Sequence, residues 1–135
     1  MSERFGVEDE GDAVEPETSE AEPVYPNHVA FVEQFLAPVI QRKVNLAPGR
    51  GLVFDPEWWR YPEVEQRFMA LWLAWEAAVK GEPSAVSSWW LQHCDPHLDR
   101  ILNGETGPFH LYNPHASFSP VPPGLPITPL PPQVP

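Results

Sequence analysis

Apolar residues recur every three to four positions along three stretches of the chain, and this spacing is typical of helices that bury one face. The first stretch follows Asn27, whose side chain can cap the amide hydrogens of a first helical turn. Its apolar positions are Val29, Val32, Phe35 or Leu36, Val39 and Ile40. Pro38 lies within this pattern, and proline removes a backbone hydrogen bond and clashes with the preceding turn. We therefore expect a kink or a break near Leu36 and the end of the helix by Val44.

The second stretch is the longest and predicts the main helix, which begins at Pro62 and is ended by Gly81. Its apolar stripe consists of Val64, Phe68, Leu71, Trp72, Trp75 and Val79. We expect this stripe, including both tryptophans, to lie in the core. The exposed side is predicted to hold two ion pairs of residues four apart, Glu63 with Arg67 and Glu76 with Lys80.

Two Asp-Pro pairs predict further helix starts, because aspartate is a favourable cap and proline fits the first helical position. Asp55-Pro56 predicts a short helical piece before Pro62. Asp95-Pro96 predicts a short last helix, separate from one that begins at Pro83-Ser84. No stretch alternates well enough for a sheet, so the predicted fold is all-α, a small helical domain of four or five helices.

The ends of the chain differ in composition from the middle and predict three regions. Residues 1–23 are acidic and poor in apolar side chains, so they are expected to form a disordered acidic arm. Residues 24–112 hold all the apolar stripes and are predicted to be the helical domain. Residues 113–135 are predicted to be a proline-rich tail, of which residues 119–135 are expected to form polyproline II without packed tertiary contacts.

The proline-rich tail has a period of its own. Proline occurs at every third position, namely Pro120, Pro123, Pro126, Pro129, Pro132 and Pro135. A polyproline II helix has three residues per turn, so these prolines would form a ridge along one edge. The tail is either a ligand for an aromatic-lined groove or a stiff spacer.

Charge and cysteine content exclude several classes of protein. The net charge is −11, and an acidic chain repels phosphate backbones, so direct nucleic-acid binding is not expected. The single cysteine, Cys94, rules out an internal disulfide and fits a reducing compartment. The N-terminus lacks the pattern of a signal peptide, and the longest apolar run, Phe68 to Trp75, is too short to span a membrane. We expect a cytoplasmic protein that does not contact a membrane.

His93, Cys94 and His97 form the sharpest chemical signal, because thiolate and imidazole are the ligands that zinc prefers. Against zinc, the predicted helix start at Asp95-Pro96 separates the two histidines, and structural zinc sites usually draw ligand pairs from separated segments. The alternative is that the histidines bond to backbone groups and Cys94 is a small buried residue. No set of residues fills the roles of nucleophile, base and stabiliser together, so we expect no enzyme activity and no cofactor.

Two tryptophan pairs favour binding. Trp58-Trp59 and Trp89-Trp90 are neighbours on helical segments, so both rings of a pair cannot point at the same part of one core. Either all six tryptophans fill the interior, or one ring of each pair is an anchor for a partner.

The chain resembles an actinobacterial family of uncharacterised proteins, the domain of unknown function family 4913, over roughly residues 28–110. The matching residues are 35–39 (FLAPV), Trp58-Trp59, 62–64 (PEV), 71–72 (LW), 74–76 (AWE), 89–97 (WWLQHCDPH) and 107–109 (GPF). The resemblance implies occurrence in actinobacteria, on chromosomes and on plasmids, integrative elements and phages. It implies no activity.

These observations favour a non-enzymatic protein-protein interaction module. Its candidate partner-binding residues are Trp58, Trp59, Trp89, Trp90, Pro120, Pro123, Pro126, Pro129 and Pro132. The alternative is a zinc-binding domain, in which catalysis is conceivable, centred on His93, Cys94 and His97. The partner is expected to be a protein whose identity the sequence leaves open.

Overall fold

The computed structural model describes residues 22–45 and 47–133. Over this part of the chain the fold is all-α, as predicted, with three helices and no strand. Helix α1 covers residues 28–39, α2 is Pro62–Val79, and α3 covers residues 85–102. The predicted short piece after Asp55-Pro56 is a single 3₁₀ turn, Trp58–Arg60. Residues 1–21 of the predicted acidic arm lie outside the described residues.

The number of helices is lower than the predicted four or five because α3 runs through Asp95-Pro96 without a break. It consists of an α-helical turn, Ala85–Ser88, a π-helical turn, Trp89–Cys94, and a final α-helical part, Asp95–Leu102. The predicted separation at Asp95 is therefore wrong, whereas the predicted α-helical part from Asp95 through Leu102 is confirmed. The same residues that begin a helix well can also continue one when the preceding turn makes room for the proline.

Pro38 and Pro96, which lie inside helices of the described chain, each follow a π-helical turn, which explains how they are accommodated. In α1 the π turn is Val32–Leu36, and the N–H of Ala37 donates to the carbonyl of Val32. Pro38 comes two residues after this turn, just as Pro96 comes two residues after the π turn of α3. Proline lacks an N–H and clashes with the carbonyl four residues earlier, and a wider turn relieves that clash. Where a kink or a break is predicted, near Leu36, the structure has a π turn within a continuous helix, and α1 ends at Val39, before Val44.

The described chain divides into two compact units. The first unit contains residues 22–41 and 68–94, and the second contains residues 42–67, apart from residue 46, and 95–133. Each unit has its own buried residues and its own pattern of hydrogen bonds.

Aromatic rings form the core of the first unit. The rings of Phe35 and Trp75 are stacked with 4.4 Å between centroids, and Trp75 meets Trp89 edge to face at 5.2 Å. Phe31 is fully buried and meets Trp89 in a T-shaped contact at 6.2 Å. The indole N–H of Trp89 donates to the backbone carbonyl of Leu71 at 3.1 Å. Such ring pairs contribute more than their buried area alone.

A buried carboxylate completes the first unit. Glu76 is only 8% exposed, and its carboxylate accepts hydrogen bonds from the backbone N–H groups of Val24 and Tyr25 and from the indole N–H of Trp72. The predicted exposed pair of Glu76 with Lys80 is therefore wrong. The Glu76 carboxylate can be buried because three hydrogen-bond donors compensate for the hydration that it loses.

The apolar stripe of α2 is only partly buried. Val64, Phe68 and Leu71 are at most 1% exposed, whereas Trp72, Trp75 and Val79 are half-buried. The expectation that both tryptophans are full core residues is thus too strong. The other predicted ion pair on this helix is confirmed, because Arg67 Nε lies 2.9 Å from Glu63 Oε2.

The second unit is held together largely by loops. Phe109 is fully buried and meets the ring of Tyr61 edge to face at 4.7 Å. The hydroxyl of Tyr61 donates to Asp55 Oδ2 at 2.6 Å, and Asp55 Oδ1 accepts from the N–H of Glu57 at 2.8 Å. A turn at Gly51, with φ of 62°, brings its carbonyl to the N–H of Gly104. A left-handed φ of this kind favours glycine.

Candidate partner-binding site

Arg60 fixes the base of the proline-rich tail. It ends the 3₁₀ turn, and both terminal nitrogens of its guanidinium donate to the backbone carbonyl of Ser119. The guanidinium also lies over the ring of Phe118, 4.6 Å from its centroid. A planar guanidinium combines both contacts, because it offers paired donors at its edge and stacks on an aromatic face.

Residues 113–119 form a closed turn that presents this carbonyl to Arg60. The Ser119 hydroxyl accepts from the N–H of Asn113 at 2.9 Å, and Ser119 is only 6% exposed. The side-chain oxygen of Asn113 accepts from the N–H of His115 at 2.9 Å. The expectation of a polyproline II segment without tertiary contacts is therefore wrong at its first residue, Ser119, because its hydroxyl and its backbone carbonyl both accept hydrogen bonds.

After Ser119 the chain runs over a short groove, and the residues beyond this groove are exposed. Val121 and Pro122 are half-buried, and they line the groove together with Tyr61, Pro62 and Pro108. From residue 123 to residue 133 every residue is exposed and lies outside helix and strand. The three large apolar side chains of this part are Leu125, 88% exposed, Ile127, 79%, and Leu130, 81%.

The exposed segment, residues 123–133, carries only uncharged side chains. From residue 116 to residue 133 no side chain carries a charge. If the segment adopts the polyproline II helix predicted for it, Ile127 and Leu130 share one edge, and Pro123, Pro126, Pro129 and Pro132 form the adjacent edge. The arrangement can offer an apolar ridge and backbone carbonyls to a groove, but no charged group.

The tryptophan pairs are split between the core and the surface. Trp58 and Trp89 are 5% and 1% exposed, so both rings serve the interior of the fold. Trp90 is half-buried and meets Trp89 edge to face at 5.0 Å. Trp59 is 55% exposed and is the ring of these four that a partner can reach most easily.

The histidines and the cysteine proposed as zinc ligands have different surroundings. His93 is exposed, whereas Cys94 is fully buried. His97 is half-buried, and its Nδ1 lies 2.9 Å from the guanidinium of Arg67. Within residues 22–45 and 47–133, no three His, Cys, Asp or Glu residues are grouped so that they could hold a metal ion.

Two tyrosines beside Asp55 have altered acidity. Burial, together with the hydrogen bond to Asp55 and the charge of that carboxylate, raises the pKa of Tyr61 far above its usual value of about 10. Burial also raises the pKa of Tyr112, and the charges of Asp55 and Glu57 act in the same direction. In both cases the phenolate is disfavoured because it would lose hydration and face a negative charge.

The turn that anchors the tail was missed in the sequence analysis. Asn113-Pro114 and Ser119-Pro120 are both turn signals, and they mark the two ends of the loop. No local pattern links Arg60 to Ser119, which is 59 residues away.

The family model of a domain of unknown function, DUF4913, matches residues 25–131. The chain belongs to the DUF4913 family. The match reaches further than the resemblance over residues 28–110, and it includes the anchoring turn and most of the proline-rich tail. No curated protein and no solved structure matches the chain. No helix in the described part of the chain combines the length and the apolar character needed to cross a membrane.

Proposed function

We propose that the chain is a non-enzymatic protein-interaction module whose contact element is the proline-rich tail. The observation that carries the proposal is the contrast within that tail. Arg60 and the turn of residues 113–119 fix its base, while Leu125, Ile127 and Leu130 beyond the base are 79–88% exposed. Large apolar side chains held away from the fold are suited to a partner.

The chemistry of the tail selects the kind of partner. A polyproline II segment is extended before it binds, so it loses little conformational entropy in a complex. Grooves that bind such segments are lined by aromatic side chains, which pack on the proline ridge. Because residues 116–133 carry no lysine or arginine, the partner's groove needs no acidic rim. The proposed partner is therefore a protein with an uncharged, aromatic-lined groove.

The anchor gives the tail a defined point of departure. A ligand tethered by a rigid base samples fewer positions than a free terminus, and this reduces the entropy lost on binding. Arg60 is the residue that supplies this restraint, through the carbonyl of Ser119 and the ring of Phe118. The family match continues to residue 131, so it includes this anchored part of the tail.

The proposal is tested with two proline variants of the full chain. Pro129 lies on the three-residue ridge, whereas Pro131 does not, and both are exposed. Proteins captured from a lysate of the native host by the full chain are identified, and the affinity of each is measured with the purified proteins. We expect Pro129→Ala to lower the affinity for the partner at least tenfold, and Pro131→Ala to change that affinity by less than threefold.

Two outcomes would refute the proposal. One is a partner that binds equally well to a chain ending at residue 122. The other is a specific partner whose affinity responds to Trp59→Ala but to neither proline substitution, because that would place the contact surface on the helical domain.

A further inference from the structure

Helix α2 is apolar on two sides, although only one side is buried. Pro62 and Glu63 are exposed at its start, and from Gln66 onward the exposed positions lie on one stripe: Gln66, Met69, Ala70, Leu73, Ala77 and Lys80, the last just after the helix. Four of the six are apolar, and Leu73 is 55% exposed. This outer stripe is opposite in character to the polar solvent-facing side of an ordinary surface helix.

The outer stripe is not explained by the packing of the described residues. Val64, Phe68 and Leu71 already supply the buried side of α2. All residues from Phe68 to Trp75 are apolar apart from the indole N–H groups of the two tryptophans. No charged side chain therefore lies in this part of the outer stripe. Between Phe68 and Trp75 the helix is apolar all round, and such a stretch is normally covered on every side.

We propose that the outer stripe of α2 binds the same stripe of a second copy, with the two helices antiparallel. The pattern is self-complementary about Leu73. With Leu73 opposite its own copy, Met69 falls opposite Ala77, so a long side chain meets a small one at both ends of the contact. This alternation lets side chains of two helices interdigitate, and a two-fold axis through Leu73 gives a closed dimer.

The charges at the ends of α2 select the antiparallel orientation. Glu63 and Glu65 lie in the first turn of the helix, where Glu63 is half-exposed and already pairs with Arg67, and Lys80 lies just beyond the last turn. Antiparallel helices bring Lys80 of each copy towards the acidic start of the other. Parallel helices would place like charges together. The antiparallel pair also sets the two helix dipoles in opposite directions.

The size of the stripe limits the strength of the dimer. Met69 to Ala77 spans eight residues, which is about 12 Å along a helix. This is smaller than the interfaces of stable dimers. We therefore expect a dimer with a dissociation constant in the micromolar range, which is independent of any partner of the proline-rich tail.

Analytical ultracentrifugation of the full chain over a range of concentrations tests the dimer. We expect Leu73→Glu to raise the dissociation constant at least tenfold, because the substitution buries two carboxylates opposite each other. Leu91→Glu is the matched control, since Leu91 is 67% exposed on α3 and lies outside the stripe. It should leave the dissociation constant within twofold, and the circular dichroism of both variants should match that of the native chain.

A cysteine placed at the two-fold axis tests the orientation. Leu73→Cys should form an intermolecular disulfide under mild oxidation, whereas Leu91→Cys should not, and the native Cys94 is fully buried in both. A chain that stays monomeric at millimolar concentration would overturn the proposal. So would a dimer that Leu73→Glu leaves intact, or one that cross-links through residue 91 and not through residue 73.

Discussion

The two units of the molecule are ordered by different interactions. In the first unit, helices present apolar faces, and stacked rings such as Phe35 with Trp75 fill the space between them. In the second unit, loops predominate, and individual side chains such as Arg60 and Asp55 satisfy backbone groups one at a time. A helix satisfies its own backbone and needs only an apolar face, whereas a loop needs a specific polar partner for each buried group.

This difference has a consequence for the effect of substitutions. Removing a large ring from the first unit leaves a cavity, and the cost follows the volume lost. Removing a polar group from the second unit leaves a partner without its hydrogen bond, and the cost follows the desolvation of that partner. Substitutions in the two units therefore separate these two kinds of loss.

The largest effect is expected from Trp89→Ala in the first unit. Trp89 is 1% exposed, meets several rings and bonds to the carbonyl of Leu71. Its removal should lower the free energy of unfolding by about 3–5 kcal/mol, measured by urea denaturation followed by circular dichroism. Trp59→Ala is the control, and as a surface change it should cost within about 0.5 kcal/mol. Equal costs for the two would mean that ring packing does not hold this unit.

The next effect is expected from Glu76→Gln, which changes the buried carboxylate of the ring-packed unit. Glutamine keeps a single oxygen and turns its amide towards a backbone N–H, so one donor loses its acceptor. The free energy of unfolding should fall by about 2–3 kcal/mol. Glu82→Gln, at an exposed position, should be neutral by the same denaturation measurement. If Glu76→Gln leaves the free energy of unfolding unchanged, the donor that loses its acceptor is satisfied in another way at no cost.

In the second unit, Tyr61→Phe removes the donor to Asp55 and should cost about 1–2 kcal/mol at neutral pH. It should also change the dependence of stability on pH. Because the folded state raises the pKa of Tyr61, its contribution is complete below about pH 10 and is lost as the pH rises beyond that value. The slope of the unfolding free energy between pH 10 and 11.5 should therefore be shallower in Tyr61→Phe. Tyr112, whose pKa is also raised, accounts for part of any slope that remains. An unchanged slope would contradict the altered acidity of Tyr61.

Two truncations locate the end of the second unit. A chain ending at residue 122 keeps the anchor at Ser119 and should unfold within about 0.5 kcal/mol of the full chain. A chain ending at residue 112 leaves the donors of Arg60 without the Ser119 carbonyl and should lose about 1–3 kcal/mol. Thermal and urea denaturation of both chains measure the difference. If both truncations are neutral, residues 113–122 contribute nothing to the fold.

The smallest effect is expected from zinc. Cys94 is fully buried, and the Nδ1 of His97 lies beside the cation of Arg67. We expect elemental analysis of the purified full chain to find no stoichiometric zinc and added zinc to leave the thermal midpoint unchanged. One zinc per chain that is lost in His97→Ala would contradict this and would favour the metal-binding alternative.

The sequence predicts the first unit better than the second. The period of three to four residues locates α1 and α2 because it reports directly which face each helix buries. The same reasoning fails at Pro96, because local preference for a helix start does not reveal a π turn that accommodates the proline. It fails again at Glu76, where spacing indicates an exposed ion pair with Lys80 and the fold supplies three buried donors.

The candidate site shows the same limit. The three-residue period of the prolines can be read from the sequence because it is a local, repeating pattern. The anchor of the tail cannot, because the contact joins Arg60 to a carbonyl 59 residues away and any carbonyl could accept those bonds. Likewise, Trp58 and Trp59 are equivalent in sequence, and the direction of the 3₁₀ turn alone makes the first 5% and the second 55% exposed.

The sequence by itself determined the all-α class, the bounds of the main helix and the three-residue proline period of the uncharged tail, since each follows from the order of neighbouring residues. Tertiary structure alone decided which tryptophans are buried, that Glu76 serves the core and where the tail is anchored. These depend on which distant groups meet, and a hydrogen-bond donor finds its acceptor through the path of the backbone and not through spacing along the chain.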